Sequence, residues 1–407
     1  MGVPRCPRFG AGKRTEGTGP PREMSIAIAR CAADCAARRR VDRPGAMEPA
    51  LFRRFPALAG RIPHQPLLAG PTPVEPLALP APFAAPALFV KRDERCTPLY
   101  GGNKPRKLEF LLGDALARRA RRVVTTGGLG THHGLATALF ARASGLATTL
   151  VLVDQPVTPA VRASLRHLSA SGAEVFDARS VRGAAWRVAR VLARHAARGE
   201  RPRLIPTGGS GPVGNLGFVS AACELAEQVA AGLLPEPAAV FVPVGSGGTA
   251  AGLAAGLRLA GLRAQVVGVL VTDILPPSPA SLARGARRVL ARLAREDDAL
   301  AASGRATAAL DVALARGQLG PGYGVATDAA RAARDAAGAA GLVLDLTYSA
   351  KAFAELLARA RAGDLPRGPV LFWLTYNAVD PAISAPGPVR LERLPPRLRR
   401  IAQEETP

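Results

Sequence analysis

The stretch YGGNKPRKLE, Tyr100 to Glu109, places two lysines three residues apart in a chain that hardly uses lysine. Of 54 basic residues only five are lysine: Lys13, Lys91, Lys104, Lys107 and Lys351. Arginine serves a surface ion pair equally well, so lysine here points to chemistry that guanidinium cannot do. Guanidinium stays protonated, whereas a desolvated lysine becomes a free amine able to condense with an aldehyde. The sequence predicts that Asn103 caps a helix starting at Lys104 or Pro105, which sets Lys104 and Lys107 one turn apart on the same face. Two ammonium groups so close repel each other unless one is neutral or an anion lies between them. The pair reads as one lysine in a Schiff base with an aldehyde cofactor and a second against its phosphate. The plainer alternative is two solvated lysines on a helix surface.

Three glycine-rich turns could serve such a group. VFVPVGSGGTAAGLAAGL runs from an apolar strand into Gly245, Ser246, Gly247, Gly248 and Thr249 and then an Ala/Leu-rich helix. Glycines let backbone N–H groups converge on an anion, and a helix N-terminus adds its positive end. No GK[ST] follows, so this is not a nucleotide loop of that kind. TTGGLGTHHG repeats the strand–turn–helix form and puts Thr131, His132 and His133 in a first helical turn; PTGGSGPVGNLGF repeats it again at Pro206 to Phe218. Adjacent histidines on a helix diverge and no acidic partner adjoins them, so no metal is expected. The four tyrosines, Tyr100, Tyr323, Tyr348 and Tyr376, all fall in turns after or between expected strands, where a phenol can stack on a ring or move a proton.

The elements that must position these turns alternate. ALFVKRD, RRVVTTGG, TTLVLVD, AEVFDA, PRLIPTGG, AAVFVPVGSGG, QVVGVLV, GLVLDL and PVLFWLT read as strands, with helical spacing between many of them. That alternation predicts doubly wound parallel sheets covered by helices on both faces, with ligands at the carboxyl ends of strands. Aromatics make up only 4% of 407 residues, so the core must be built from Ala, Leu and Val. The net charge of +23 invites a nucleic-acid reading, but basic residues occur in every helical segment with no cluster interleaved with aromatics. No run of about 18 uncharged apolar residues exists, so no membrane partner is expected. Five cysteines without paired CxxC spacing suit a reducing cytoplasm. Residues 1–46, rich in Pro, Gly and Arg without a helical or strand period, are expected to be a disordered or untranslated extension.

From about Phe55 to Arg390 the chain resembles the family of pyridoxal-phosphate enzymes that includes D-cysteine desulfhydrase and 1-aminocyclopropane-1-carboxylate deaminase, of tryptophan-synthase-β-like fold. KRDERCTPLYGGNKPRKLEFLL is the most specific part, with GSGGTAAG, GYG and LDLTYSAKAFAEL following in order. The resemblance implies a fold-type-II α/β protein of two open-sheet domains: 47–106 with 217–395 as the larger, cofactor-binding one, 107–216 as the smaller, and 396–407 as a tail. It implies pyridoxal 5'-phosphate bonded to Lys104, its phosphate met by Lys107 and Gly245–Thr249, with Asn103 beside it. Thr131 stands where a serine moves a proton or binds the substrate carboxylate. His132 replaces an asparagine that faces the ring oxygen. Ser349 stands where the deaminase branch has a glutamate near the pyridine nitrogen, and Thr375 matches a threonine near that nitrogen. Tyr376 and Asn377 replace two glycines and narrow the pocket. Lys104 and Thr131, with Tyr323 and Tyr348 as proton carriers, are the expected catalytic groups. The implied reaction is β-elimination on a small amino acid such as D-cysteine; a deaminase, a racemase or a binding protein without turnover are the alternatives. A homodimer is implied as well.

Overall fold

The computed structural model describes residues 47–79, 87–307, 309–379 and 388–404. The expected extension at 1–46 lies outside them. Two open sheets carry the architecture. The six-stranded sheet has the order β1-β2-β10-β7-β8-β9, from β1 (Val74–Pro76), β2 (Leu88–Arg92), β7 (Ala239–Val244), β8 (Gln265–Leu270), β9 (Val312–Ala315) and β10 (Val370–Leu374). The four-stranded sheet runs β5-β4-β3-β6, from β3 (Arg122–Gly128), β4 (Ala147–Val153), β5 (Glu174–Arg179) and β6 (Arg203–Leu204). Every pairing is parallel except edge strand β1, which runs against β2 and ends in Pro76, a residue an edge tolerates.

Alternation along each strand decides which helices cover which face. In β7, Val240, Val242 and Val244 enter one cluster, where they meet α5 (Leu216–Ala230), α6 (Gly248–Ala260) and α7 (Pro279–Glu296). Ala239 and Phe241 enter the opposite cluster with α8 (Asp328–Ala339) and α9 (Ser349–Ala362). The smaller sheet divides likewise. Val123 faces α1 (Asn103–Ala117), α2 (His132–Ala143) and α3 (Pro159–Ser171), while Val124 faces α4 (Val181–Ala197). Ala, Leu and Val dominate these clusters, as the composition requires.

Some elements differ from the sequence reading. GLVLDL is not a strand: Leu342 and Leu344 are buried and Val343 exposed, but the segment joins no ladder and bends into a loop around Asp345. The short strands β1 and β9 were not expected, having no β-branched run to mark them. The segment 396–407, expected as a tail, instead holds helix α10 (Pro396–Gln403), which buries Leu398 and Ala402 in the cluster shared with α3. Its Arg397 donates to Asp177 in β5 and to Asp154 just after β4.

Candidate active site

Helix α1 begins at its expected cap rather than after it. Asn103 is its first residue; Gly102, at φ 82°, precedes it, and the Asn103 side chain donates instead to Thr249 Oγ1 at 3.2 Å. A Cβ on Gly102 would lie 2.5 Å from the Thr375 carbonyl, so only glycine lets the chain pass the end of β10 here. Lys104 and Lys107 follow in the first turns and both line one cavity of about 680 Å³. Burial draws the Lys104 amine down to about 8, against the opposing pull of Asp345. Burial, then the neighbouring Lys104, push Lys107 well below its ordinary range. A buried amine whose charge is disfavoured by a neighbouring lysine marks a place suited to an anion.

Two glycine-rich turns form the cup around Lys107. Its ammonium donates to the Gly208 carbonyl at 3.2 Å and to Ser210 Oγ at 3.4 Å. Ser210 Oγ lies 2.7 Å from Ser246 Oγ and accepts from Gly248 N–H at 3.1 Å. Gly245, Ser246, Gly247, Gly248 and Thr249 all line the cavity where β7 turns into α6. A Cβ on Gly248 would sit 2.2 Å from Ser210 Oγ and 2.5 Å from Asn215 Oδ1. Ser210 was missed by sequence reasoning, although its turn repeats the glycine-rich form.

The opposite wall comes from α2 and the loops after β10 and before α9. Thr131 caps α2, its Oγ1 accepting from Gly134 N–H at 3.0 Å, which leaves its own hydroxyl proton free to donate. His132 Nδ1 lies 2.6 Å from the Tyr100 hydroxyl. Burial raises the Tyr100 pKa and lowers that of His132, so a neutral phenol donates to a neutral ring whose proton sits on Nε2. Tyr376 meets the His132 ring edge-on at 5.8 Å. Asn377 Oδ1 accepts from Gly101 N–H, a reason for a side chain where glycine was expected. His133 Nε2 lies 3.1 Å from Thr125 Oγ1, whose proton goes to the Ile205 carbonyl. Its buried Nδ1 finds no partner among the described residues.

Tyr323 and Tyr348 face each other with hydroxyls 2.7 Å apart, and burial raises the pKa of both. Thr375 lines the same cavity. Ser349 does not: it is fully buried behind the wall, its hydroxyl donating to Asp345 Oδ1 at 2.6 Å. The carboxylate at this wall is Asp345, which accepts from the N–H groups of Thr347, Tyr348 and Ser349 and was absent from the sequence reading. Its place inside GLVLDL, which reads as a strand, hid it. Thirteen of the fourteen expected site residues therefore line one cavity. A free amine, a second buried lysine, paired serines and a cradle that a Cβ would fill suit a phosphate-bearing aldehyde. Among the described residues no cluster of His, Cys, Asp or Glu could hold a metal ion.

The family profile described as pyridoxal-phosphate dependent enzyme matches residues 66–375. The chain is similar to the nocardicin C-9' epimerase of Nocardia uniformis subsp. tsuyamanensis, 38% identical over 339 residues, which are 82% of this chain and 98% of that one. It is similar to the D-cysteine desulfhydrase of Klebsiella pneumoniae, 32% identical over 80% of this chain and 96% of that one. Among solved structures, one titled as an ACC deaminase homologue aligns with a TM-score of 0.66 at 29% identity, covering 82% of this chain and 96% of the other.

Proposed function

The chain belongs to the family of pyridoxal-phosphate-dependent enzymes, and from that premise we propose that it takes the Cα proton from an amino acid and expels a leaving group from Cβ. D-cysteine, giving pyruvate, ammonia and sulfide, is the first substrate to test. One observation carries the reading: the Lys104 amine, brought down to about 8 in the cavity wall, is able to act as a base near neutral pH. When bound, pyridoxal phosphate supplies the electron sink that makes a Cα proton acidic. Lys104 Nζ would hold the cofactor and, once displaced, take that proton. Lys107, Ser210, Ser246 and the first turn of α6 would hold the phosphate. Thr131 donates to the substrate carboxylate, and Tyr323 Oη passes a proton to or from Tyr348 Oη. Incubation with D-cysteine should release pyruvate and sulfide in equal amounts; a purified holoprotein that releases neither from any amino acid sinks the reading.

A second reading, epimerisation at Cα, is favoured by the 38% identity to an epimerase and by the hydroxyls of Thr131, Tyr323 and Tyr348 as additional proton carriers. Deuterium uptake at Cα with inversion and no keto acid would select it. A homodimer and a cytoplasmic location belong to the same proposal. The buried, unpaired Cys96 and Cys223 support a reducing compartment, and light scattering at twice the chain mass would support the dimer. No described helix is long and apolar enough to cross a membrane.

Two expected results follow from the site. Covalent capture of pyridoxal phosphate by cofactor-free protein should accelerate about tenfold per pH unit up to about 8 and then level off, followed by absorbance. The sign for stability is the same. The folded pKa lies below the ordinary 10.5, so the cost of burying the ammonium is present below about 8 and is relieved as pH rises from there towards 10.5. The second result concerns Gly248→Ala. Its Cβ would displace Ser210 from the cup and weaken cofactor retention at least about tenfold by equilibrium titration, with the fold preserved by circular dichroism.

A further inference from the structure

Among the described residues nine large apolar side chains are exposed, and four of them, Val181, Leu204, Ile274 and Leu275, line the catalytic cavity. They come from separate elements: the first residue of α4, the end of β6 and the loop after β8. Single exposed apolar residues are ordinary, but their gathering at one opening marks a binding surface. Leu275 is the extreme case. It is 80% exposed, holds φ at 50°, and precedes Pro276, an arrangement that is strained for a leucine and disfavoured before proline. The loop is tethered at its other end, where Asp273 Oδ1 accepts from Tyr323 N–H at 2.9 Å.

Charge narrows the occupant. Five lysines leave 49 arginines among the 54 basic residues, yet among the described residues no arginine lines this cavity. Two polar groups of the cavity wall are engaged: Asp154 accepts from Arg397, and Gln155 Oε1 accepts from Gly130 N–H. Apart from Lys104 and Lys107 in the cofactor cup, the described lining thus offers apolar surface and no cation.

We propose that the rim of Val181, Leu204, Ile274 and Leu275 receives a large, uncharged, apolar group carried on Cβ of the amino-acid substrate, as in an S-aralkyl cysteine. The inference rests on the β-elimination reading and names its substrate class. The step balances without an added oxidant or reductant. The Cα proton goes to Lys104 Nζ, a double bond forms between Cα and Cβ as the Cβ–S bond breaks, and the departing thiolate takes that proton to leave as the thiol. Water then releases ammonia and pyruvate.

The test uses holoprotein with D- and L-cysteine, S-benzylcysteine and alanine, reading affinity from the visible absorbance titration and turnover from pyruvate and thiol release. S-Benzylcysteine of one handedness should bind about tenfold more tightly than cysteine, releasing benzyl thiol and pyruvate one to one. In Leu275→Ser and Val181→Ser the ratio of S-benzylcysteine to alanine affinity should fall about tenfold. Equal affinity for cysteine and S-benzylcysteine, or rim variants that leave the ratio unchanged, overturns the inference. Pyruvate from cysteine but none from the conjugate does so while leaving the β-elimination reading intact. Tight, rim-dependent binding of the conjugate with no pyruvate from any amino acid supports the rim and removes the β-elimination. Selectivity that changes with protein concentration, the mark of a second copy over the rim, overturns it too.

Discussion

Replacing Lys104 with alanine is expected to lower turnover at least about 10³-fold and to abolish the borohydride-fixed attachment of cofactor to the chain. Truncation removes both the covalent anchor and the proposed base, so one change affects two roles. The informative comparison is Lys104→Arg. It keeps the positive charge, the length and most of the packing, but guanidinium neither condenses with an aldehyde nor gives up its proton near neutrality. If charge or shape were the point of residue 104, arginine would restore much of the activity; if a free amine is the point, it restores none. Lys107→Ala gives the complementary result. The covalent link stays at residue 104, while cofactor affinity drops because the Gly208–Ser210 turn loses its ammonium. Peptide mapping of the reduced holoprotein reads the attachment directly. Cofactor found on another lysine would end the assignment.

The scarcity of lysine made this site legible, and the structure shows why scarcity was informative. All four described lysines are withdrawn from solvent: Lys91, Lys107 and Lys351 are buried, and Lys104 is partly buried in the cavity wall. Lys351 donates to the carbonyls of Leu319 and Gly322, which steadies the turn that carries Tyr323. Arginine covers the surface, with Arg92 and Arg106 as buried exceptions, while every described lysine sits where a compact ammonium or a free amine fits. Parallel strands were legible because a short Val-rich run, apolar at every position, suits a strand with both faces covered. What was not legible depended on hydrogen bonds that composition cannot reveal. GLVLDL has the alternation of a strand, yet Asp345 gathers three backbone N–H groups and turns the chain before a ladder can form. The same contacts bring a carboxylate to the cavity and hold Ser349 behind it, which reverses the assignment made from the motif. Ser210 was hidden for a related reason: its role comes from meeting Ser246, 36 residues away in sequence.

Glu224→Gln is expected to destabilise the fold by about 3–5 kcal/mol, the largest stability effect of any single polar substitution outside the cavity. Glu224 belongs to a buried cluster of two cations and two anions that ties α1, α5, β2 and β10 together. Arg106, three residues before Glu109 in α1, donates in bidentate fashion to both Asp93 and Glu224. Trp373 Nε1 donates to Asp93 Oδ2 at 2.7 Å. Lys91 donates to the Thr72 carbonyl, Glu224 Oε1 and Gln228 Oε1. Burial works against the Lys91 charge, but three acceptors need three N–H bonds, which only an ammonium has. Removing the Glu224 charge leaves two buried cations facing one carboxylate. The pH dependence has a definite sign. Although burial alone would raise it, Arg106 and then Lys91 hold the Glu224 carboxyl at about 2, so its stabilisation is complete above the ordinary 4.5 and is lost as pH falls through about 2. That shift corresponds to about 3 kcal/mol, which agrees with the lower end of the range. Urea unfolding of the cofactor-free protein should therefore show a gap between wild type and variant that is full at neutral pH and closes in acid. The exposed Arg118–Asp114 pair supplies the contrast, since Arg118→Ala should change stability by less than about 0.5 kcal/mol. A Glu224→Gln loss below about 1 kcal/mol would mean that the cluster does not hold α1 in register. Lys104 would then owe its position to Gly102 and the end of β10 alone.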